Sequence, residues 1–229
     1  MKKYYLAIPS VLFLFFGFVS CSDNESKTET QNQVASRSEV PIQNGVVLIG
    51  TQVWMTKNLN LSRYRNGDPI PHVQDPTAWA ALTTGAWCYY LNNTANGPVY
   101  GKLYNWYAVN DPRGLAPTGY HVPSDAEWTT LTTFLGGANV AGNKMKATTG
   151  WTPYSEIINT NSSRFTGLPG GSRSSNGLFN FIGRKGRWWS STEVDTPIAY
   201  IRTLNDDTSF ADRNNFNKAG GFSVRCIRD

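Results

Sequence analysis

Gly119-Tyr120-His121-Val122-Pro123-Ser124-Asp125-Ala126-Glu127-Trp128 is the stretch whose reading decides the fold. It reads as a strand that stops at a proline and turns straight into a helix. Ser124 is the predicted N-cap, and Glu127, three residues on, completes a capping box. Asp125 and Glu127 place negative charge in the first turn, where the helix dipole favours it. Trp128, Leu131, Phe134 and Leu135 recur at helical spacing, which predicts one apolar face over residues 124–135. Gly136-Gly137 supplies the φ > 0 freedom that a C-cap needs.

Outward from this stretch the pattern is one of short elements and many turns. Residues 46–49 and 52–55 predict a hairpin closed by Gly50-Thr51. Asn66-Gly67-Asp68-Pro69 is a strong turn signal. Residues 77–82 suit one or two helical turns, and residues 86–91 a strand. Leu103, Trp106, Tyr107 and Asn110 are spaced as in a helix over 102–110. A short helix is predicted at 140–147. Strands are predicted over 187–192, 198–204, 208–213 and 221–227. In the last, Phe222, Val224 and Cys226 alternate with Ser223 and Arg225, a half-buried pattern. Helices come early and strands late, so the fold class is α+β rather than alternating α/β.

Aromatic residues make up 13% of the 229-residue chain and charged residues only 16%, so a substantial core can form. Residues 45–229 carry 17 basic against 12 acidic side chains. The basic residues are scattered, with Arg184-Lys185-Gly186-Arg187 the one short cluster. A nucleic-acid face needs a denser stripe, so no nucleic-acid partner is expected.

Residues 1–20 read as an export signal. Lys2 and Lys3 form a positive start, and residues 6–19 form an apolar run too short to span a bilayer comfortably. The run ends Phe18-Val19-Ser20-Cys21, which resembles a bacterial lipobox, with Phe18 departing from the usual aliphatic residue. Cys21 is then the lipidation site, and a membrane is a partner through that lipid. Residues 21–44 are polar, lack aromatic residues and read as a disordered tether. Ser22-Asp23-Asn24-Glu25 has a short likeness to a surface-export signal. The expected location is the outer membrane, at its outer surface if that signal operates. The globular domain is expected over 45–229.

Several strings carry a family resemblance. They are residues 49–55 (IGTQVWM) with Asn58-Leu59, residues 64–70 (YRNGDPI), residues 100–109 (YGKLYNWYAV) and the opening stretch. Leu168-Pro169-Gly170-Gly171, residues 188–192 (WWSST) and residues 221–226 (GFSVRC) complete the set. Together they resemble the Fibrobacter succinogenes major paralogous domain, over about residues 46–229. More distantly, Pro123-Ser124-Asp125-Ala126-Glu127-Trp128 is similar to a segment of formylglycine-generating enzymes. That likeness implies a C-type-lectin-like fold: two to three short helices on small twisted antiparallel sheets, with many loops and a terminal strand beside the first. Variable proteins of diversity-generating retroelements share that fold, and their variable residues occupy the C-terminal region. The resemblance therefore points to residues 200–215 as the ligand-facing surface. Tyr200, Arg202, Asn205, Asp206, Phe210, Asp212, Arg213 and Asn214 are its candidate ligand-binding residues. An ordinary polar sheet face is the alternative.

Catalytic and metal patterns are thin. His72 and His121 are the only histidines, and neither has a partner at ligand spacing. There is no nucleophile elbow and no phosphate loop. Asp206-Asp207 with Asp212, and Glu193 with Asp195, offer oxygen ligands of the kind calcium takes. Solvated loop carboxylates and no cofactor are the expectation, with calcium the alternative. Cys88 and Cys226 remain after Cys21, and an exported protein would pair them as a disulfide. Two buried thiols are the alternative. Formylglycine-type oxidase chemistry places two cysteines close together near the C-terminus, and only Cys226 is there. Trp54, Trp106, Trp128, Trp188 and Trp189 are expected in the core. Trp79, Trp87 and Trp151 are in loop-rich segments, where core or loop anchoring is expected and stacking on sugar rings is the alternative. The expected function is a non-enzymatic envelope lipoprotein that binds an extracellular glycan or protein. A structural component of the outer membrane is the second reading, and an enzyme on the formylglycine-generating scaffold the third.

Overall fold

The computed structural model describes Met1 and residues 45–229. Chain contacts divide the protein after Ser38, and everything below concerns the unit that follows. The signal segment, Cys21 and the tether lie outside the described residues. The architecture is mixed α+β, mostly sheet, with a few short helices.

The first sheet joins the two ends of the domain. Strands β1 (Val46–Ile49) and β2 (Gln52–Met55) form the expected hairpin around Gly50, whose φ of +63° suits the tight turn. After α1 (Pro76–Ala80), β3 (Trp87–Cys88), α2 (Gly97–Tyr100), β4 (Leu103–Tyr104) and α3 (Trp106–Val109) comes β5 (Tyr120–His121). The last strand, β11 (Ile227–Arg228), lies between β2 and β5. The terminal strand is thus beside the second strand, not the first.

The opening stretch folds as its sequence dictates. Helix α4 (Asp125–Phe134) starts at Ser124, and the capping box with Glu127 is complete. Trp128 and Leu131 are fully buried, and a buried leucine contributes roughly 1.5–3 kcal/mol relative to exposure. Phe134 departs from the expected apolar face and is 63% exposed. Gly136 and Gly137, at φ +100° and +99°, stop the helix and lead into α5 (Ala138–Met145).

A second sheet runs β10-β9-β8-β6-β7. Its members are β6 (Gly170–Arg173), β7 (Phe179–Ile182), β8 (Lys185–Asp195), β9 (Ile198–Asn205) and β10 (Ala211–Asn217). Strand β7 was not expected from sequence. The helix expected over 102–110 is only the single turn of α3, because Leu103 and Tyr104 pair with β3. Residues 86–91 give only the two residues of β3. Leu91 then sits at φ +52°, outside any strand.

Residues 221–226 are buried throughout rather than alternately. Ser223 accepts from Asn58 Nδ2 at 3.2 Å. Arg225 is fully enclosed: its guanidinium donates to Asn58 Oδ1 and to the carbonyls of Met55 and Phe165. Burial lowers its pKa to about 9. Asn58 Oδ1 also accepts from the Trp188 indole at 2.8 Å. The strings that carry the family resemblance therefore meet inside the fold.

The disulfide expected between Cys88 and Cys226 is not formed: both thiols are free and buried. Cys88 packs with Trp79, Tyr90 and Leu103, whereas Cys226 packs with Tyr104, Trp189 and Phe222 in a different core cluster. Burial pushes each thiol up to about 12, which leaves almost no thiolate at neutral pH.

Candidate functional site

The two faces of the β9–β10 hairpin divide the eight candidate ligand residues. Alternation along a strand sends successive side chains to opposite faces. Tyr200, Arg202 and Arg213 lie on the face toward α4. Arg202 is buried and donates to Asp125 Oδ1 at 2.6 Å and to Thr129 Oγ1 at 3.0 Å. Arg213 donates to the same carboxylate at 2.9 Å and stacks over the Tyr200 ring at 3.9 Å. These three residues tie the hairpin to the start of α4, so they serve the scaffold. Asp212 and Asn214 lie on the opposite face with Asn205, whose Nδ2 donates to Asp212 at 2.9 Å.

Asp206 and Phe210 lie in the turn between β9 and β10. The turn is held from below by Lys146, whose ammonium donates to the carbonyls of Asn205 and Thr208 at 2.9 and 2.7 Å. Burial lowers the Lys146 pKa to about 8, against the pull of Asp206 and Asp207. The turn also presses on α5 at Gly142, where any side chain would collide with the Phe210 carbonyl. Asp206 is 4% exposed, and its Oδ2 accepts from Arg184 Nε at 3.1 Å. Its backbone donates nothing to water: the N–H bonds the Arg184 carbonyl at 2.9 Å.

Asp206 forms one wall of a cleft of about 310 Å³. The others are Thr148, Trp151, Thr152, Pro153, Tyr154, Ile157, Ile158 and Asn159. The loop carrying them has no regular structure and is pinned at both ends. Thr152 N–H donates to the Gly183 carbonyl at 2.7 Å, and Thr160 N–H to the Asn143 carbonyl at 2.9 Å. The Trp151 indole donates to the Gly167 carbonyl at 3.1 Å, which fixes its ring as the cleft floor. Tyr154 is 54% exposed, and its hydroxyl is free to meet solvent. Asn159 Oδ1 is buried without a hydrogen-bond partner among the described residues. So is Thr208 Oγ1 in the neighbouring turn. The site thus combines two aromatic rings, two threonines, a carboxylate and an amide with unused accepting capacity. A second cavity of about 300 Å³, between Val46, Met55, Leu59, Leu61, Pro117 and Tyr120, has mainly apolar walls.

Sequence reasoning singled out Asp206 and Trp151 separately and missed Tyr154 and Asn159. The signal available was an aromatic and amide-rich stretch without periodicity, Trp151-Thr152-Pro153-Tyr154 to Asn159. Trp79, Trp87 and Trp151 are buried anchors, bonded to the carbonyls of Ala219, Ile70 and Gly167. Of the five loop carboxylates considered for calcium, three have separate partners: Asp206 with Arg184, Asp212 with Asn205 and Glu193 with Lys218. No group of three or more His, Cys, Asp or Glu side chains is placed to hold a metal ion among the described residues.

His121 is more than a strand residue. Its Nε2 lies 2.8 Å from Glu127 and its Nδ1 2.7 Å from Asp229. Burial works to lower its pKa, but these two carboxylates outweigh it and raise it. The cluster links β5, α4 and the chain after β11. Ser124 Oγ donates to Glu127, not to His121, so no serine–histidine pair exists there.

No curated protein and no solved structure matches the chain. The family model described as the Fibrobacter succinogenes major domain matches residues 47–228. That span runs from the second residue of β1 to the end of β11 and includes the cleft and the hairpin, and the chain belongs to the Fibrobacter succinogenes major domain family.

Proposed function

We propose that this protein is an outer-membrane lipoprotein whose domain, of C-type-lectin-like fold, binds an extracellular glycan in the cleft between Trp151, Tyr154, Asn159 and Asp206. The observation that carries the reading is the composition of that cleft. Aromatic rings offer flat apolar surface to a sugar ring, while the buried carboxylate, the amide and the threonines suit its hydroxyls. The sequence of residues 1–44 supports export, lipid attachment at Cys21 and a tether that would hold the domain away from the bilayer. The two longest helices, α4 and α5, packed beside the second sheet support the lectin-like fold.

The test is a glycan array probed with the purified full-length protein and with Tyr154→Ala. A specific signal that the variant loses supports the reading. A specific protein partner captured in place of any glycan would replace it with a protein-binding function.

A further inference from the structure

The sheet face opposite α4 holds a second constellation, distinct from the cleft. Register places Lys185 opposite Asn205, and Thr203 opposite both Arg187 and Asp212. Alternation then puts Lys185, Arg187, Asn205, Asp212 and Asn214 on one face. Phe181, on edge strand β7, leans over it. The Lys185 ammonium is 4.9 Å and the Arg187 guanidinium 5.2 Å from its ring centre. Phe181 is 41% exposed and sits at φ +69°, a strained conformation for a bulky residue. Such strain is retained where the surroundings over-determine it, and here it delivers an aromatic ring beside two cations.

Arg187 forms no ion pair among the described residues, and its guanidinium also lies over the Phe216 and Phe222 rings at 5.9 and 5.8 Å. Its Nη1 reaches Ser172 Oγ at 3.3 Å, while Nε is buried with no acceptor among the described residues. No carboxylate lies within ion-pair distance of it or of Lys185 among those residues, whereas Arg184, next in the same basic cluster, is paired with Asp206. Burial alone lowers the Arg187 pKa, the mark of a charge without a counter-charge. Asn205 Oδ1 is likewise buried with no donor. Asp212 offers a carboxylate on the same face. Burial raises its pKa, although Asn205 and Lys185 work the other way.

Each group narrows the ligand. Two cations that form no ion pair among the described residues favour an anion, best a planar carboxylate for the Arg187 fork. Asn205 Oδ1 and Asp212 accept hydrogen bonds, so the ligand must also carry hydroxyls. Phe181 requires a flat apolar face. A neutral sugar leaves Arg187 uncompensated. A bare sulfate or phosphate ignores Phe181 and Asn205. A uronic acid residue has all three features. We propose that the face formed by Phe181, Lys185, Arg187, Asn205 and Asp212 binds a uronic acid residue of an acidic polysaccharide. The carboxylate lies on Arg187 and Lys185, the hydroxyls on Asn205 and Asp212, and the ring against Phe181. This rests on the glycan-binding reading for its ligand class but uses a different surface.

Calorimetric titration of the full-length protein with trigalacturonate, and with maltotriose as the neutral trisaccharide, tests it. Trigalacturonate is expected to bind at least about tenfold more tightly than maltotriose, with the difference shrinking as salt rises. Arg187→Gln and Lys185→Gln are each expected to weaken trigalacturonate at least about tenfold. Lys185 makes no hydrogen bond that the fold needs, so Lys185→Gln gives a folded variant even if Arg187→Gln does not. Equal binding of the two trisaccharides overturns the proposal. So does wild-type affinity in a folded Lys185→Gln. If Tyr154→Ala abolishes trigalacturonate binding while Lys185→Gln keeps it, the acidic sugar belongs to the cleft. The present assignment then falls and the glycan reading stands.

Discussion

Asp125, the first residue of α4, lies 2.6 Å from the buried guanidinium of Arg202 on β9. The contact fastens the best-determined helix in the chain to the hairpin that carries the candidate ligand residues. Arg202 has 2% of its side chain exposed, whereas Arg213, on the same carboxylate, has 50%. Removing the carboxylate leaves Arg202 as a buried unpaired charge, which costs about 3–5 kcal/mol. Asp125→Ala is therefore expected to lose about that much in urea unfolding. Arg213→Ala is expected to lose less than about 1 kcal/mol, as solvent-screened pairs do. Equal losses would show that burial of Arg202 is not what matters.

Asn58 is the second structural prediction. Its one carbonyl oxygen serves both Arg225 and Trp188. Asn58→Ala strands three buried donors, Arg225 Nε and Nη2 and the Trp188 indole, each costing roughly 1–3 kcal/mol. Denaturant titration should show a loss of several kcal/mol, or no folded protein. Asn58→Asp keeps the Oδ1 acceptor and places a charge beside Arg225, but it loses the Nδ2 donation to the Tyr100 carbonyl, so it should cost less than Asn58→Ala without matching the wild type.

The thiols give a chemical prediction. Reductant should leave the thermal midpoint unchanged, because no Cys88–Cys226 bond exists to break. Maleimide should label neither residue in the native protein and both after denaturation without reductant, as read by intact mass. Protection from labelling after denaturation would reinstate the disulfide.

The His121 cluster predicts a pH dependence. Its pKa is raised above the unfolded value of about 6.5. The stabilisation is fully present below that value and is lost as pH rises through the folded pKa. Glu127, whose pKa falls because the Ser124 backbone and His121 outweigh burial, acts in the opposite sense, losing its contribution only in acid. Thermal midpoints of the wild type should decline between about pH 6 and 8 relative to His121→Gln. Parallel curves would mean that the cluster is not coupled to folding. Because His121 is partly exposed, the effect should shrink in high salt.

What the sequence made legible follows from how local each determinant is. Ser124, Glu127 and Gly136-Gly137 act within a few residues, so α4 and its ends could be read directly. The β1–β2 hairpin was legible for the same reason. Leu103 and Tyr104 carried helical spacing, yet pairing with β3, a tertiary contact, made them a strand. Ser223 and Arg225 look like exposed polar positions because their partners, Asn58 and Phe165, are distant in sequence. The hairpin residues were found as a group, but Arg202 and Arg213 turn inward to an aspartate far along the chain. Tyr154 and Asn159 stayed hidden, since a loop without periodicity advertises no face. Arg187 was visible only as part of a basic run until its missing counter-charge was seen.

The proposed binding of a glycan in the cleft turns on Tyr154. Tyr154 is half exposed and makes no side-chain bond that the fold needs, so Tyr154→Ala should leave the thermal midpoint within a degree or two, as surface changes usually do. Equilibrium binding of the array-selected glycan to full-length wild type and to Tyr154→Ala is the most direct measurement. The account predicts at least about tenfold weaker binding in the folded variant. Unchanged affinity in a variant of wild-type stability would contradict it.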